Sequence, residues 1–130
     1  MKTTRLKIID RILAVINDSH TIAVCSHMRP DGDCIGSSLG LTLALLDLGK
    51  EVICWNQDSV PSKLKFLDQN QIIQVPRQIK RSFDCVIAVD SASIERLGTV
   101  QDHIISRETL INIDHHTSNT RFGDVNWIAS

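Results

Sequence analysis

No two of the four cysteines stand in C-x-x-C spacing; Cys25, Cys34, Cys54 and Cys85 sit mostly in apolar segments. That argues against a disulfide framework or a zinc site and reads as reduced, buried thiols in a cytoplasmic protein. There is no excess of charge either. With 14 Lys and Arg against 15 Asp and Glu the formal net charge is -1, so no global field draws the chain to nucleic acid or a membrane surface. Any polyanionic substrate must be held locally. Long hydrophobic runs are missing too: the apolar positions of "MKTTRLKIIDRILAVINDSH" are interrupted by Asp10, Arg11, Asn17 and Asp18, which suits neither a signal peptide nor a membrane span. No G-x-G-x-x-G follows the first apolar run, which counts against a plain dinucleotide-binding domain. Aromatic residues make up 4%. The loose basic cluster of Lys63, Lys65, Arg77, Lys80 and Arg81 has only Phe66 and Phe83 near it, so a solvated surface is favoured over a track for a nucleic-acid backbone.

What is present fits one soluble α/β domain of 130 residues, with 42% hydrophobic and 22% charged residues. From about Thr3 to Asp18, Leu6, Ile9, Ile12, Leu13 and Ile16 recur at helical spacing. "TIAVCS" (21–26) is short, β-branched and apolar, as a strand covered on both faces should be. "CIGSSLGLTLALLDLGK" reads as a helix with Gly49 as its stop, and "EVICW" (51–55) as the next strand. Strand, helix, strand implies a right-handed parallel crossover. Beyond it, "PSKLKFLD" and "SIERLG" suggest short helices. Strands are predicted at "IIQV" (72–75), "FDCVIAVD" (83–90) and "TLINIDHH" (109–116), and an edge strand at "FGDVNWI". The expected fold is an open, mainly parallel sheet with helices on both faces.

Chemistry-bearing residues follow three of these strands: His27, Asp31 and Asp33 in "SHMRPDGDCIGSS", then Asp90, then Asp114, His115 and His116. In an open parallel sheet the carboxyl ends of the strands share one edge, where ligands bind. Gathered there, carboxylates and imidazoles form a site for divalent metal, magnesium or manganese, with imidazole tilting the choice toward manganese or its transition-metal neighbours. A carboxylate can bridge two ions roughly 3.5–4 Å apart, as in metal-assisted phosphoryl chemistry. Gly32 permits a tight turn that aims Asp31 and Asp33 into one site, and Pro30 stiffens its entry. Taken singly, each element has a plainer reading: Asp-Gly as a turn, Asp90 as the cap of a helix starting near Ser91, "DHH" as a polar turn. Gly36, Ser37 and Ser38 open the second helix, where free N–H groups favour an anion, or where the helix packs closely on the sheet. Arg29 could reach a substrate phosphate or be a solvated charge.

Together "SHMRPDGDCIGSS", "VDSAS" and "IDHHTSNTRFGDVNW" resemble the DHH phosphoesterase family, in the order that family shows. The Arg-Pro before Asp-Gly-Asp-Cys-Ile-Gly-Ser and the phrase His-His-Thr-Ser-Asn look most like its NrnA-type branch. That resemblance implies hydrolysis of short RNA oligonucleotides and of the nucleoside bisphosphate 3′-phosphoadenosine 5′-phosphate by metal-activated water. It also implies two manganese ions, with Mg2+ or Co2+ as substitutes. His27, Asp31 and Asp90 are then the ligands of one ion, and Asp33, Asp90 and His115 those of the other. His116 contacts the substrate phosphate, with Arg29 and Ser37 further candidates for it. Asp114 orients the site, and Asn119 is more loosely connected to it.

The family pattern continues past the third motif with a further helix and strand that carry another aspartate ligand, then a DHH-associated domain. The chain ends at Ser130. Residues 1–130 are therefore expected to be the N-terminal portion of a DHH domain without its C-terminal partner domain. Leu110, Ile111, Ile113, Val125, Trp127 and Ile128 are expected to lie uncovered, favouring self-association or a complementing chain. The competing expectation is a noncatalytic remnant that binds metal or nucleotide.

Overall fold

The computed structural model describes residues 2–130, except for the side chains of residues 2–4 and 6, so the expected role of Leu6 lies outside the described residues. Helix α1 (Lys2–Asp18) leads into β1 (Thr21–Cys25). Next come α2 (Gly32–Asp47), β2 (Glu51–Trp55) and β3 (Ile73–Gln74). The chain closes with β4 (Arg81–Val89), β5 (Ile104–Asp114) and β6 (Val125–Ile128). All pairings are parallel, and the sheet order is β3-β2-β1-β4-β5-β6. The first half of the chain thus builds outward from β1 in one direction and the second half outward from β4 in the other. The order reverses between β1 and β4, where open α/β sheets bind ligands beyond their carboxyl ends.

Alternation along β1 divides the core. Ile22 and Val24 face α1 and α2, joining Ile12, Ile16, Leu45, Ile87 and Val125. Ala23 and Cys25 face the other layer, with Trp55, Phe83, Leu97 and Val100. Trp55 and Phe83 meet edge to face at 5.5 Å between centroids. That second layer comes from a 3₁₀ segment, Ile94–His103, kinked at Gly98, where φ 60° and ψ -136° suit glycine. "PSKLKFLD" is likewise 3₁₀, over Ser62–Asp68.

Three sequence expectations need correction. The second helix begins at Gly32, capped by Asp31, whose carboxylate accepts the Cys34 N–H at 2.9 Å. Gly36, Ser37 and Ser38 therefore lie inside the helix and offer no free helix-terminal N–H groups. At its far end Gly49 takes φ 82°, and Gly49 N and Lys50 N close on the carbonyls of Leu46 and Leu45. Next, Asp90 caps no helix: the segment that follows starts at Ile94 without a side-chain cap. Finally, Leu110, Ile111 and Val125 are buried, and Ile113, Trp127 and Ile128 are half-buried. Leu110 packs in the layer of Phe83, Leu97 and Val100, while Ile111, Ile113, Val125 and Trp127 are covered from the α1 side, where α1 packs on β6 and sets the Arg5 guanidinium 5.7 Å from the Trp127 ring centroid.

Candidate metal centre

The loop after β1 places His27 at the switch point. Its Nδ1–H donates to Met28 O at 2.7 Å, which leaves the Nε2 lone pair facing Asp90 Oδ2 at 3.3 Å and Asp31 Oδ1 at 3.8 Å. The loop is held from below by Asn56, buried just past β2. Its amide donates to Ser26 Oγ at 2.9 Å and to His27 O at 3.0 Å. Asn56 Oδ1 accepts the Asp58 N–H at 3.0 Å, and Asp58 accepts the N–H of Arg29 at 2.6 Å. Arg29 itself sits at φ 55°, a left-handed turn.

Asp90 follows β4 directly at φ 54°, a conformation that costs a non-glycine residue energy and that the Asp90 N–H to Ile113 O bond at 3.0 Å holds in place. The turn aims its carboxylate across the strand ends. There it is 6% exposed, with Oδ1 2.8 Å from His115 Nε2 and Oδ2 3.3 Å from His27 Nε2. His115 Nε2 is also 3.2 Å from Asp33 Oδ2. The Asp90 hydrogen bond, helped by the charges of Asp33 and Asp114, raises the His115 pKa above the usual imidazole range. One carboxylate thus stands between two imidazoles, each with a further aspartate on its outer side.

His116 points its Nδ1 at Asp114 Oδ1, 2.6 Å away, and lies 4.0 Å from Asp90 Oδ1. Asp114 is buried and fixed by Asn119, whose amide donates at 2.8 Å to Asp114 Oδ2 and at 2.8 Å to Asn112 Oδ1. Burial pulls the Asp114 pKa up, but the Asn119 amide, the His116 ring and the His115 backbone N–H outweigh it and leave it lowered. Asn112, fully buried on β5, in turn bonds the carbonyls of Ala88 and Ser91 at 3.1 Å each.

His27, Asp31, Asp33, Asp90, Asp114, His115 and His116 therefore converge, and Asn119 joins them through Asp114. Asp90, Asp114, His115 and His116 present ligand atoms all within 4.8 Å of one another, as do His27, Cys34 and Asp90. Ser37 reaches Asp33 at 3.5 Å and borders an apolar cavity of about 390 Å³ that also touches Asp90 and Trp127. The Arg29 side chain is exposed and, among the described residues, has no hydrogen bond or ion pair. Sequence reading missed Asn56, Asn112 and Arg96. The asparagines carry a weak signal, an amide inside or just after an apolar run; Arg96 carries none. It lines a cleft of about 520 Å³ together with Asp90 and His116.

Similarity to known proteins spans the stretch of chain that carries these residues. The sequence profile described as "DHH family, N-terminal domain" matches residues 21–129. A bifunctional oligoribonuclease and PAP phosphatase NrnA of Thermus thermophilus is 36% identical over 119 residues, covering 92% of this chain and 34% of that protein. The protein of that name in Bacillus subtilis is 29% identical, covering 90% of this chain and 36% of the relative. The crystal structure of an exopolyphosphatase-related protein from Bacteroides fragilis superposes with a TM-score of 0.84 at 26% identity, over 95% of this chain and 38% of that one. The chain spans about a third of the length of these curated relatives.

Proposed function

The chain belongs to the DHH family, and from that premise we propose that it is the nucleotide-acting part of a manganese-dependent phosphoesterase. Its substrates are short oligoribonucleotides, taken from an end as an exonuclease does, and 3′-phosphoadenosine 5′-phosphate. The observation that carries this reading is Asp90, a nearly buried carboxylate within 2.8 and 3.3 Å of two imidazole nitrogens. A divalent cation fits the donors. The lone pair of His27 Nε2 faces two carboxylates at 3.3 and 3.8 Å, and such groups repel unless a proton or cation lies between them.

His27, Asp31 and Asp90 would hold one ion, and Asp33, Asp90 and His115 a second. Bound there, divalent ions lower the pKa of water and neutralise charge on phosphate oxygens. The chain's own groups set the rest. Asp114 and Asn119 fix the His116 ring through Nδ1, so Nε2 is the atom offered to a phosphate oxygen, where a donor stabilises developing charge. Asn56 and Asp58 fix the turn that carries His27. Manganese is favoured over magnesium by the imidazole share of the donors, with cobalt next. The substrate class rests on what the relatives' names say of them.

Among the described residues no helix is long and apolar enough to cross a membrane, and four buried free thiols suit a reducing compartment, so a cytoplasmic location belongs to the same proposal. So does assembly with a second copy or a complementing chain, for which the open edge at β6 is the support.

The test is release of nucleotide from an RNA dinucleotide and of phosphate from the bisphosphate, with and without manganese. It is run on residues 1–130 and on the longest natural polypeptide that contains them. Manganese-dependent turnover abolished by Asp90→Asn supports the reading. Manganese binding with no turnover of either substrate by either polypeptide replaces it with the noncatalytic alternative.

A further inference from the structure

Arg96 is out of keeping with its surroundings. The cleft beside Asp90 and His116 belongs to a site assembled from aspartates, and Arg96 is the lysine or arginine on its wall. A guanidinium next to a cation site opposes metal binding, so its position calls for a ligand anion. The backbone fixes its place: Met28 N–H donates to Arg96 O at 2.7 Å and Arg96 N–H to Ser93 O at 3.1 Å. Nearby, Thr120 N–H donates to Ala92 O at 2.8 Å. The segment bearing Arg96 is thereby tied both to the loop that presents His27 and to the loop that follows His116. Arg96 is exposed, and among the described residues its guanidinium has no hydrogen bond or ion pair. Around it the cleft adds the hydroxyl-bearing residues Ser93, Ser118 and Thr120. Five donors in a planar fork, on a cleft wall that also carries hydroxyl-bearing residues, match a phosphate.

Resting on the phosphoesterase reading above, we infer that Arg96 is a specificity-determining residue that grips the phosphate of the substrate that is not being hydrolysed. The phosphate under attack belongs against Asp90 and His116. The cleft of about 520 Å³ runs from those residues to Arg96, and it has room for a second phosphate on the same nucleotide. A substrate with two phosphates then uses both ends of the cleft, and one with a single phosphate leaves Arg96 idle. This selects nucleoside bisphosphates and 5′-phosphorylated dinucleotides over monophosphates.

The experiment is calorimetric titration of the manganese-loaded protein with adenosine 3′,5′-bisphosphate, 3′-AMP and 5′-AMP, for the wild type, Arg96→Gln and Arg96→Lys. The exposed position makes misfolding a minor concern, and thermal unfolding of each variant checks it. Arg96→Gln is expected to weaken bisphosphate binding about tenfold or more, and each monophosphate less than about twofold. Arg96→Lys, which keeps the charge but not the fork, is expected to fall between. Equal losses for all three ligands, no loss for any, or a wild type that does not bind the bisphosphate would overturn the assignment. A wild type that binds the bisphosphate through Arg96 but never hydrolyses it overturns the phosphoesterase reading, and of this inference only selective binding of a two-phosphate ligand through Arg96 then stands.

Discussion

Replacing Asn119 with alanine removes one amide that serves three acceptors. Its Nδ2 lies 2.8 Å from Asp114 Oδ2, 2.8 Å from Asn112 Oδ1 and 3.3 Å from Ser91 O. Ser91 O keeps a second donor, the Asn112 amide at 3.1 Å, so it contributes little to the loss. Asn112 Oδ1 has no other donor among the described residues, whereas the Asp114 carboxylate keeps the His116 ring and the His115 backbone N–H and loses only the partner on Oδ2. Asn112 is fully buried and the Asp114 side chain is closed to solvent. A buried acceptor left without its partner costs about 1–3 kcal/mol, and more when it is charged. Against this, Asn119 is only half-buried, and the vacated space admits a water that restores part of the bonding. The net expectation is a loss of about 2–4 kcal/mol, a large share of the roughly 5–15 kcal/mol that holds a domain together. Urea unfolding of metal-free protein measures it, with the midpoint falling and the slope unchanged. A loss below about 0.5 kcal/mol, the size of an ordinary surface change, would refute the claim that this amide supports Asp114 and, through it, His116.

Asp84 supplies a second expectation, from outside the site. Its carboxylate accepts the backbone N–H groups of Thr21 and His20, and those bonds lower its pKa. A carboxylate depressed on folding adds stability above its unfolded pKa and loses it as pH falls through the folded value. Asp84→Asn should therefore flatten the acid limb of the stability-against-pH curve and leave its slope above neutrality unchanged; an identical acid limb would contradict this. The thiols give a third. Burial pushes Cys34 up to about 11 and Cys54 and Cys85 up to about 12, and it raises Cys25 as well. Iodoacetamide at mildly alkaline pH should leave all four unlabelled in the native protein and label all four in urea, counted by intact mass. Rapid native labelling of any one would show that its surroundings open more readily than its burial implies.

The strands were legible in the sequence wherever both faces are covered, because "TIAVCS" and "FDCVIAVD" are unbroken apolar runs. The site was legible because its residues follow those runs at the same sheet edge. The apolar pattern places the start of β5 at Thr109, whereas the strand begins at Ile104. Its first half is exposed and polar, with Ile105 67% exposed, and no apolar pattern marks it. The cover that α1 gives β6 is a contact between the two ends of the chain, which local spacing cannot report. The same holds for Asn56 and Asn112. Asn56 stands just past a strand and Asn112 inside one, and only the fold shows that the Asn56 amide braces the loop bearing His27 and the Asn112 amide bonds the carbonyls of Ala88 and Ser91 on either side of Asp90. The capping role of Asp31 is hidden by its place beside Gly32 and Asp33, where a turn that aims two carboxylates explains it equally well, although an Asp accepting the amide of the residue three positions on is ordinary capping geometry.

The proposed metal centre requires that the Asp90 carboxylate, which lies between His27 and His115, be shared by ions on both sides. Crystals grown with manganese and measured on both sides of the manganese absorption edge test it directly. Two bound ions should give anomalous density in contact with Asp90 on its His27 side and again on its His115 side. Anomalous density confined to places that Asp90 does not touch, or none at all at saturating manganese, would contradict it.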